Sequence, residues 1–258
     1  MLTPLAQCAP RTARLVCLLL AAFSLSLIPA TVAAQTYSVG VEDVDYFPIF
    51  SVAPPDHQYR GYARELLDLF ATHEKITLRY VPLPVRRLYH NYWAGQLDLV
   101  FPDNPLWSEP GKPEDSISYS QPLLAFQDVM LVMPARLGQP LQRFRKLGFV
   151  RGFTPWKFHA EIAAGQVEIH RAPNPEGLIW MTLAGYIDGA NMAQQVARYH
   201  LARQGRPDAL VAEPRLLALS DSHYYLSSIR HPELIQRFDA FLRSEQRAVA
   251  ALKAKYGL

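Results

Sequence analysis

The sequence predicts an α/β protein of two similar lobes, and three observations carry that prediction. Strand-like and helix-like stretches alternate from Thr36 onward, the grammar of β-α-β layers. The alternation pauses near Pro134-Ala135-Arg136-Leu137-Gly138 and restarts at Leu147. A long terminal helical stretch, Pro232 to Tyr256, would return to the first lobe and create a second crossing near Pro214. The expected division is a leader over residues 1–34, a first lobe of residues 35–134 plus 216–258, and a second lobe of residues 135–215, joined by a two-strand hinge.

The leader comes first. Arg11 and Arg14 precede an apolar run from Leu15 to Ile28, followed by Pro29 and Ala30-Thr31-Val32-Ala33-Ala34. That charged, apolar and small-residue order is the pattern of a cleavable secretory signal, with cleavage expected after Ala34. The run is shorter than the roughly 20 residues that span a bilayer. Both cysteines, Cys8 and Cys17, lie inside it, so the exported chain is expected to lack disulfides, thiolate chemistry and cysteine metal sites.

In the first lobe, Thr36 to Val41 alternates like a strand and runs into a polar, aromatic loop, Glu42 to Phe50. Gly61 to His73 carries Leu66, Leu67, Leu69 and Phe70 at helical spacing. Ile76 to Val81 is a β-branched and aromatic strand stopped by Pro82 and Pro84. A helix through Leu88, Tyr92 and Trp93 ends at Gly95. Leu97 to Phe101 and Phe126 to Met133 are further strands. In the second lobe, Leu147 to Val150 is a strand, and Thr154-Pro155 reads as a helix start with threonine at the cap. Glu168 to Arg171 is a strand and Pro175 to Leu183 a helix. A loop over Gly185 to Asn191 precedes a helix from Met192 to Ala202. Val211 to Leu219 leads to a strand from Tyr224 to Ile229, and the last stretch buries Leu234, Ile235, Phe238, Phe241 and Leu242.

Composition excludes several classes. The 26 basic and 23 acidic residues become nearly balanced once Arg11 and Arg14 leave with the leader, and no basic stripe marks a nucleic-acid face. The eight histidines form no metal-spaced pair, and no Gly-x-Ser-x-Gly elbow, phosphate loop or His-Glu-x-x-His is present. No metal and no cofactor are expected, and a non-enzymatic role is favoured.

The order of several short motifs resembles the extracellular solute-binding family associated with polar amino-acid uptake, a type II periplasmic-binding fold. Tyr37-Ser38-Val39-Gly40-Val41 with Tyr46-Phe47-Pro48 resembles its opening strand and loop. Tyr59 to Leu67 resembles its Gly-aromatic helix entry, and Gly95-Gln96-Leu97-Asp98-Leu99 its Gly-x-x-Asp. Tyr119-Ser120-Gln121-Pro122-Leu123, Gly185-Tyr186-Ile187-Asp188, Tyr224-Tyr225-Leu226 and Lys255-Tyr256-Gly257 follow in the family's order. The resemblance covers nearly all of residues 36–258. It implies two lobes, each a mostly parallel sheet flanked by helices, that close over a small ligand by a shift of population. The chain departs from the family's amino-acid binders at both charged clamps. The stretch Asn104 to Lys112 has no arginine where Thr-x-x-Arg is usual, and Ala193 stands near the usual ammonium-binding aspartate, with Asn191 the nearest polar group.

Candidate ligand contacts follow from strand ends and loop positions. Glu42 ends the first strand and would bind an amine or bridge the lobes. Tyr46, with Phe47, would form an aromatic wall or pack within the lobe. Arg86, at the start of a helix, has the planar guanidinium that suits a carboxylate or phosphate. Asp103 and Asn104 occupy the first-lobe binding loop, flanked by Trp107, unless they serve as turn residues. Arg151 and Thr154 would offer an anion site at a helix start, and Asn191 would take the second-lobe position. The expected function is a periplasmic substrate-binding protein, monomeric, that captures a small polar solute, amino-acid-like or an organic acid, for an ABC transporter permease. The alternatives are a ligand-sensing module for a membrane receptor or kinase and, third, a dehydratase-type enzyme of the same fold.

Overall fold

The computed structural model describes residues 34–107, 111–217 and 221–258, so the leader expected over residues 1–34 lies outside the described residues except for Ala34. Gln35–Leu258 forms one compact unit. Its first lobe grows from β1 (Thr36–Glu42), which is buried from Tyr37 onward. A small antiparallel sheet follows, made of β2 (Asp45–Tyr46), β3 (Phe50–Ala53) and β4 (Gln58–Arg60), where the sequence suggested only a loop. Helix α1 (Tyr62–Glu74) buries Tyr62, Ala63, Leu66, Leu67, Phe70 and Ala71, while Leu69 is exposed. Gly61 enters it at φ 101°, where an added Cβ would stand 3.0 Å from the carbonyl oxygens of Pro48 and Ile49. Only glycine meets both demands.

β5 (Thr77–Leu83) pairs parallel with β1, α2 (Val85–Trp93) crosses over, and β6 (Leu99–Asp103) pairs parallel on the other side of β1. The short β7 (Ser118–Tyr119) leads into β8 (Leu124–Val132). The second lobe repeats the plan. β9 (Lys146–Val150) lies between β10 (Glu168–Ala172) and β11 (Gly189–Ala193), parallel to both, with α3 (His159–Ala163), α4 (Pro175–Leu183) and α5 (Gln194–Arg203) as its helices. After β12 (Val211–Ala212) the chain returns as β13 (Asp221–Ser228) and closes with α6 (Pro232–Ser244) and α7 (Gln246–Tyr256). The strand order β10-β9-β11-β8-β13-β6-β1-β5 places β8 and β13 at the centre, joining the two parallel sets.

Three expectations are corrected. Gly189–Ala193 is a strand, not the end of a loop and the start of a helix. Its Gly-Ala-Asn-Met-Ala sequence has weak strand preference, and pairing with β8 and β9 imposes the extended state. Thr154 does not cap a helix: Pro155 has ψ 52°, a 3₁₀ turn follows over Trp156–Phe158, and α3 begins at His159. The single terminal helix is two, because Glu245 leaves helical geometry at φ −103°, ψ 28°.

The recurrent Gly-x-x-Asp has a physical role in each lobe. Asp98, just before β6, accepts the Ser38 N–H at 2.8 Å, the Ser38 hydroxyl at 2.7 Å and His231 Nε2 at 3.1 Å. Burial opposes its charge, but the bonds from Ser38 and His231 outweigh that and hold the carboxyl below its ordinary value. Asp188, just before β11, accepts the N–H groups of Arg145 (2.7 Å) and Lys146 (2.8 Å) at the start of β9, and pairs with Arg136. Each aspartate ties the first strand of its lobe to the third. Asp98→Ala and Asp188→Ala are each expected to cost about 2–4 kcal/mol, because charge-assisted bonds to backbone N–H are lost together. Urea unfolding of the two variants checks this.

Candidate functional site

The cleft lies between the carboxyl ends of the two parallel strand sets, where β8 changes partner. Leu124 to Gln127 pairs with β13, and Asp128 to Leu131 pairs with β11. From this junction β8 supplies Phe126 and Asp128, and β13 supplies Tyr224. The first lobe adds Glu42 at the end of β1, Tyr46, Phe50, Pro102, Asp103, Trp107 and Lys112. Helix α2 adds Val85, Tyr89 and Trp93, spaced four residues apart on one face. The second lobe adds Gly152, Phe153 and Thr154 from the turn after β9, and Asn191 from β11.

Six of the nine predicted residues therefore meet here: Glu42, Tyr46, Asp103, Trp107, Thr154 and Asn191. Arg86, Asn104 and Arg151 do not line the cavity. Arg86 and Arg151 are exposed, and their neighbours Val85 and Gly152 face inward. Asn104 is buried but spent on its turn. Its Nδ2 donates to the His223 carbonyl at 2.7 Å and to Ser222 Oγ at 3.1 Å, and its Oδ1 accepts the Leu106 N–H at 2.7 Å. Phe47 packs at 4.4 Å on Tyr199, away from the cavity. The residues missed by sequence reasoning are mostly aromatic. The Val85-Tyr89-Trp93 spacing was a readable signal; the stacking of Phe126 on Tyr224, at 4.1 Å across two strands, was not.

The lobes touch around the cavity. The Ala193 N–H donates to the Tyr46 hydroxyl at 2.8 Å, and the Tyr46 ring meets Phe153 edge-on at 5.3 Å. Gly152 lies so close to α2 that an added Cβ would be 2.6 Å from Val85 Cβ. This is a closed arrangement. It leaves about 70 Å³ open to the centres of water-sized molecules, room for a small solute.

Among the described lining residues, three carboxyls and one ammonium share that space. Lys112 Nζ donates to the carbonyls of Trp107 (2.7 Å), Asn104 (3.0 Å) and Pro105 (3.3 Å), fastening the loop. Asp103 accepts the Asn104 N–H at 2.7 Å and the Ser227 hydroxyl at 2.6 Å. Burial still pushes it up to about 6. Asp128 is likewise pushed up to about 6 by burial, with Lys157 opposing. Glu42 is 2% exposed, and burial with the Asp103 charge pushes it up to about 8. Among the described residues its Oε2 has no hydrogen-bond partner, nor has the Trp93 indole N–H. Buried polar atoms without partners cost free energy, and both of these belong to residues that line the cavity. Among the described residues no cluster of histidine, cysteine and carboxylate side chains has metal-binding geometry.

No protein-family model matches the chain, and no curated protein matches it in sequence. Solved structures match its fold. A histidine kinase sensor domain with similarity to periplasmic binding proteins is 22% identical, with TM-score 0.69, over 86% of this chain and 96% of that one. A substrate-binding protein of an ABC uptake transporter from Streptococcus pneumoniae, solved with bound histidine, is 15% identical, with TM-score 0.71, over 86% and 92%. An ancestral amino-acid-binding protein, precursor of a cyclohexadienyl dehydratase, is 18% identical, with TM-score 0.68, over 86% and 95%. The fold is the two-lobed periplasmic-binding-protein type II fold, shared by binding proteins, a sensor domain and the ancestor of an enzyme.

The raised carboxyls set a pH dependence. Each binds its proton more tightly folded than unfolded, so the contribution of these three groups to stability is fully present at low pH and is lost as pH rises. The window runs from about 4 to about 6 for Asp103 and Asp128, and from about 4.5 to about 8 for Glu42. The Glu42 shift corresponds to roughly 5 kcal/mol above its range. Glu42→Gln is expected to remove the loss between pH 6 and 8 and to raise the melting temperature at pH 8, checked by calorimetry across pH. Tyr46→Phe leaves the Ala193 N–H without its acceptor and is expected to cost about 1–3 kcal/mol; urea unfolding of that variant is the check.

Proposed function

We propose that the chain is a periplasmic substrate-binding protein that captures a small polar solute between its lobes and presents the closed form to an ABC transporter. One observation carries this reading: a small cavity, bridged by contacts between the lobes, holds a buried carboxyl oxygen that has no hydrogen-bond partner among the described residues. Such an atom is costly in an empty cleft and useful in an occupied one. The proposed lobes are residues 35–134 with 216–258, and residues 135–215. The partner switch of β8 at Gln127–Asp128 supports a crossing at that strand.

Glu42, Tyr46, Asp103, Trp107, Thr154 and Asn191 are the proposed ligand contacts from the sequence, to which the cavity adds Trp93, Asp128 and Tyr224. The leader pattern of residues 1–34 supports export and a periplasmic location. The protein acts as a monomer without a cofactor in this reading. A second reading, a module that senses its ligand for a membrane kinase, is favoured by the match to nearly the whole of a kinase sensor domain. Adjacent permease and ATPase genes would support uptake, and an adjacent membrane-sensor gene would support signalling.

A thermal-shift screen of the purified protein against amino acids, amines, organic acids and sugars tests the binding reading. Ligand at about 100 times its dissociation constant adds roughly 2.7 kcal/mol. For a chain of this size that raises the melting temperature by roughly 5–10 °C. A shift of that size without turnover supports a binding protein, and silence across the panel overturns it.

A further inference from the structure

The side chains around the cavity set limits on the charge of the solute. Glu42, Asp103 and Asp128 supply the acid groups, and among the described lining residues the one cationic side chain is Lys112, which already donates to three carbonyls. The two arginines that would have met an anion, Arg86 and Arg151, are exposed outside the cavity. A carboxylate brought into this space would lose its hydration beside the charges of Asp103 and Asp128, which is unfavourable unless a cation meets it. A cation would instead relieve what the cleft leaves unsatisfied.

Glu42 and Asp128 act on one place. Both carboxyls lie near enough to the hydroxyls of Tyr46 and Tyr224 to raise the pKa of each further after burial has done so. Asp103 is tied into its turn and contributes its field. Around this acidic point stand the rings of Tyr46, Trp93, Trp107, Phe126, Phe153 and Tyr224. Ring faces attract cations and repel anions, and the attraction strengthens where water is excluded. Glu42 Oε2, buried and unpartnered, is the acceptor that an ammonium N–H would fill.

We propose that the cleft takes an organic ammonium ion that carries no carboxylate, with its charge against Glu42 and Asp128 and its apolar body against the aromatic walls. This rests on the binding reading above and narrows it from small polar solutes to amines.

Calorimetric titration of the purified protein with matched ligands tests it. Phenethylamine, phenylalanine and 3-phenylpropanoic acid share one body and differ only in charged groups. Isopentylamine, leucine and 4-methylpentanoic acid form a second set, and tetramethylammonium tests a cation without N–H donors. The expected result is that at least one amine binds ten or more times tighter than its amino acid and its acid. Glu42→Gln and Asp128→Asn should each weaken that amine tenfold or more. Melting curves of the variants separate lost affinity from lost folding, and the wild-type ligand sets decide the matter if a variant does not fold. An amino acid, acid or sugar that binds as tightly as every amine overturns the inference and leaves the binding reading standing. Absence of binding by any solute in this panel and the wider screen overturns both.

Discussion

The antiparallel pairing of β8 with β13 is the contact on which the rest of the structure depends. Each lobe is a parallel set that a crossover helix can complete locally, but only this pair joins the sets into one sheet. The cleft exists because β8 leaves β13 for β11 after Gln127, so the two sets diverge from a shared root. Phe126, Asp128 and Tyr224 stand at that root. They are floor residues of the cleft for the same reason that they are part of the hinge. A movement that opens the lobes would pivot near the side chains that meet a ligand, and binding and closure are thereby one event.

The cleft holds two tendencies in opposition. Aromatic side chains make it dry, and three carboxyls make it acidic, so each weakens the comfort of the other. Part of the tension is relieved at Asp103, whose two carboxyl oxygens both accept hydrogen bonds. Asp103 is answered by a relay in which the Tyr92 hydroxyl donates to Ser227 at 2.9 Å and Ser227 donates onward. Glu42 has an oxygen left unanswered among the described residues, and burial with the Asp103 charge holds its carboxyl well above its ordinary value. Sites built for ligands commonly carry such a debt when empty.

Much of the architecture was legible because it rests on local rules. The strand β9 and the helix Pro175–Leu183 follow from periodicity and from caps such as Asn174, which accepts the Gly177 N–H, while the Gly-x-x-Asp turns were read from the family resemblance. What was not legible depended on distant pairing. Gly189–Ala193 becomes a strand only because two neighbours present open edges to it. The site residues show the same division. Glu42 and Asp103 end strands, and strand ends in such sheets point at the cleft. Arg86 and Arg151 missed by one position each, Val85 and Gly152 taking their places. One residue along a helix turns the side chain by about 100°, and in a tight turn a neighbour faces another way, so the residue that lines the cavity is the neighbour of the one chosen by its chemistry. Asn104 shows the converse: a polar residue in the expected loop, whose amide the turn itself consumes.

The aspartates that pin each lobe and the residues that line the cleft lie toward opposite ends of the same strands. Ser38, held by Asp98, is four residues from Glu42 along β1, roughly 13 Å at strand spacing. Substitutions at the open end therefore leave the pins untouched, and changes to the pins need not alter what the open end recognises. A lineage carrying this plan can exchange one ligand for another, or a carrier's task for a receptor's, without reinventing how the chain folds.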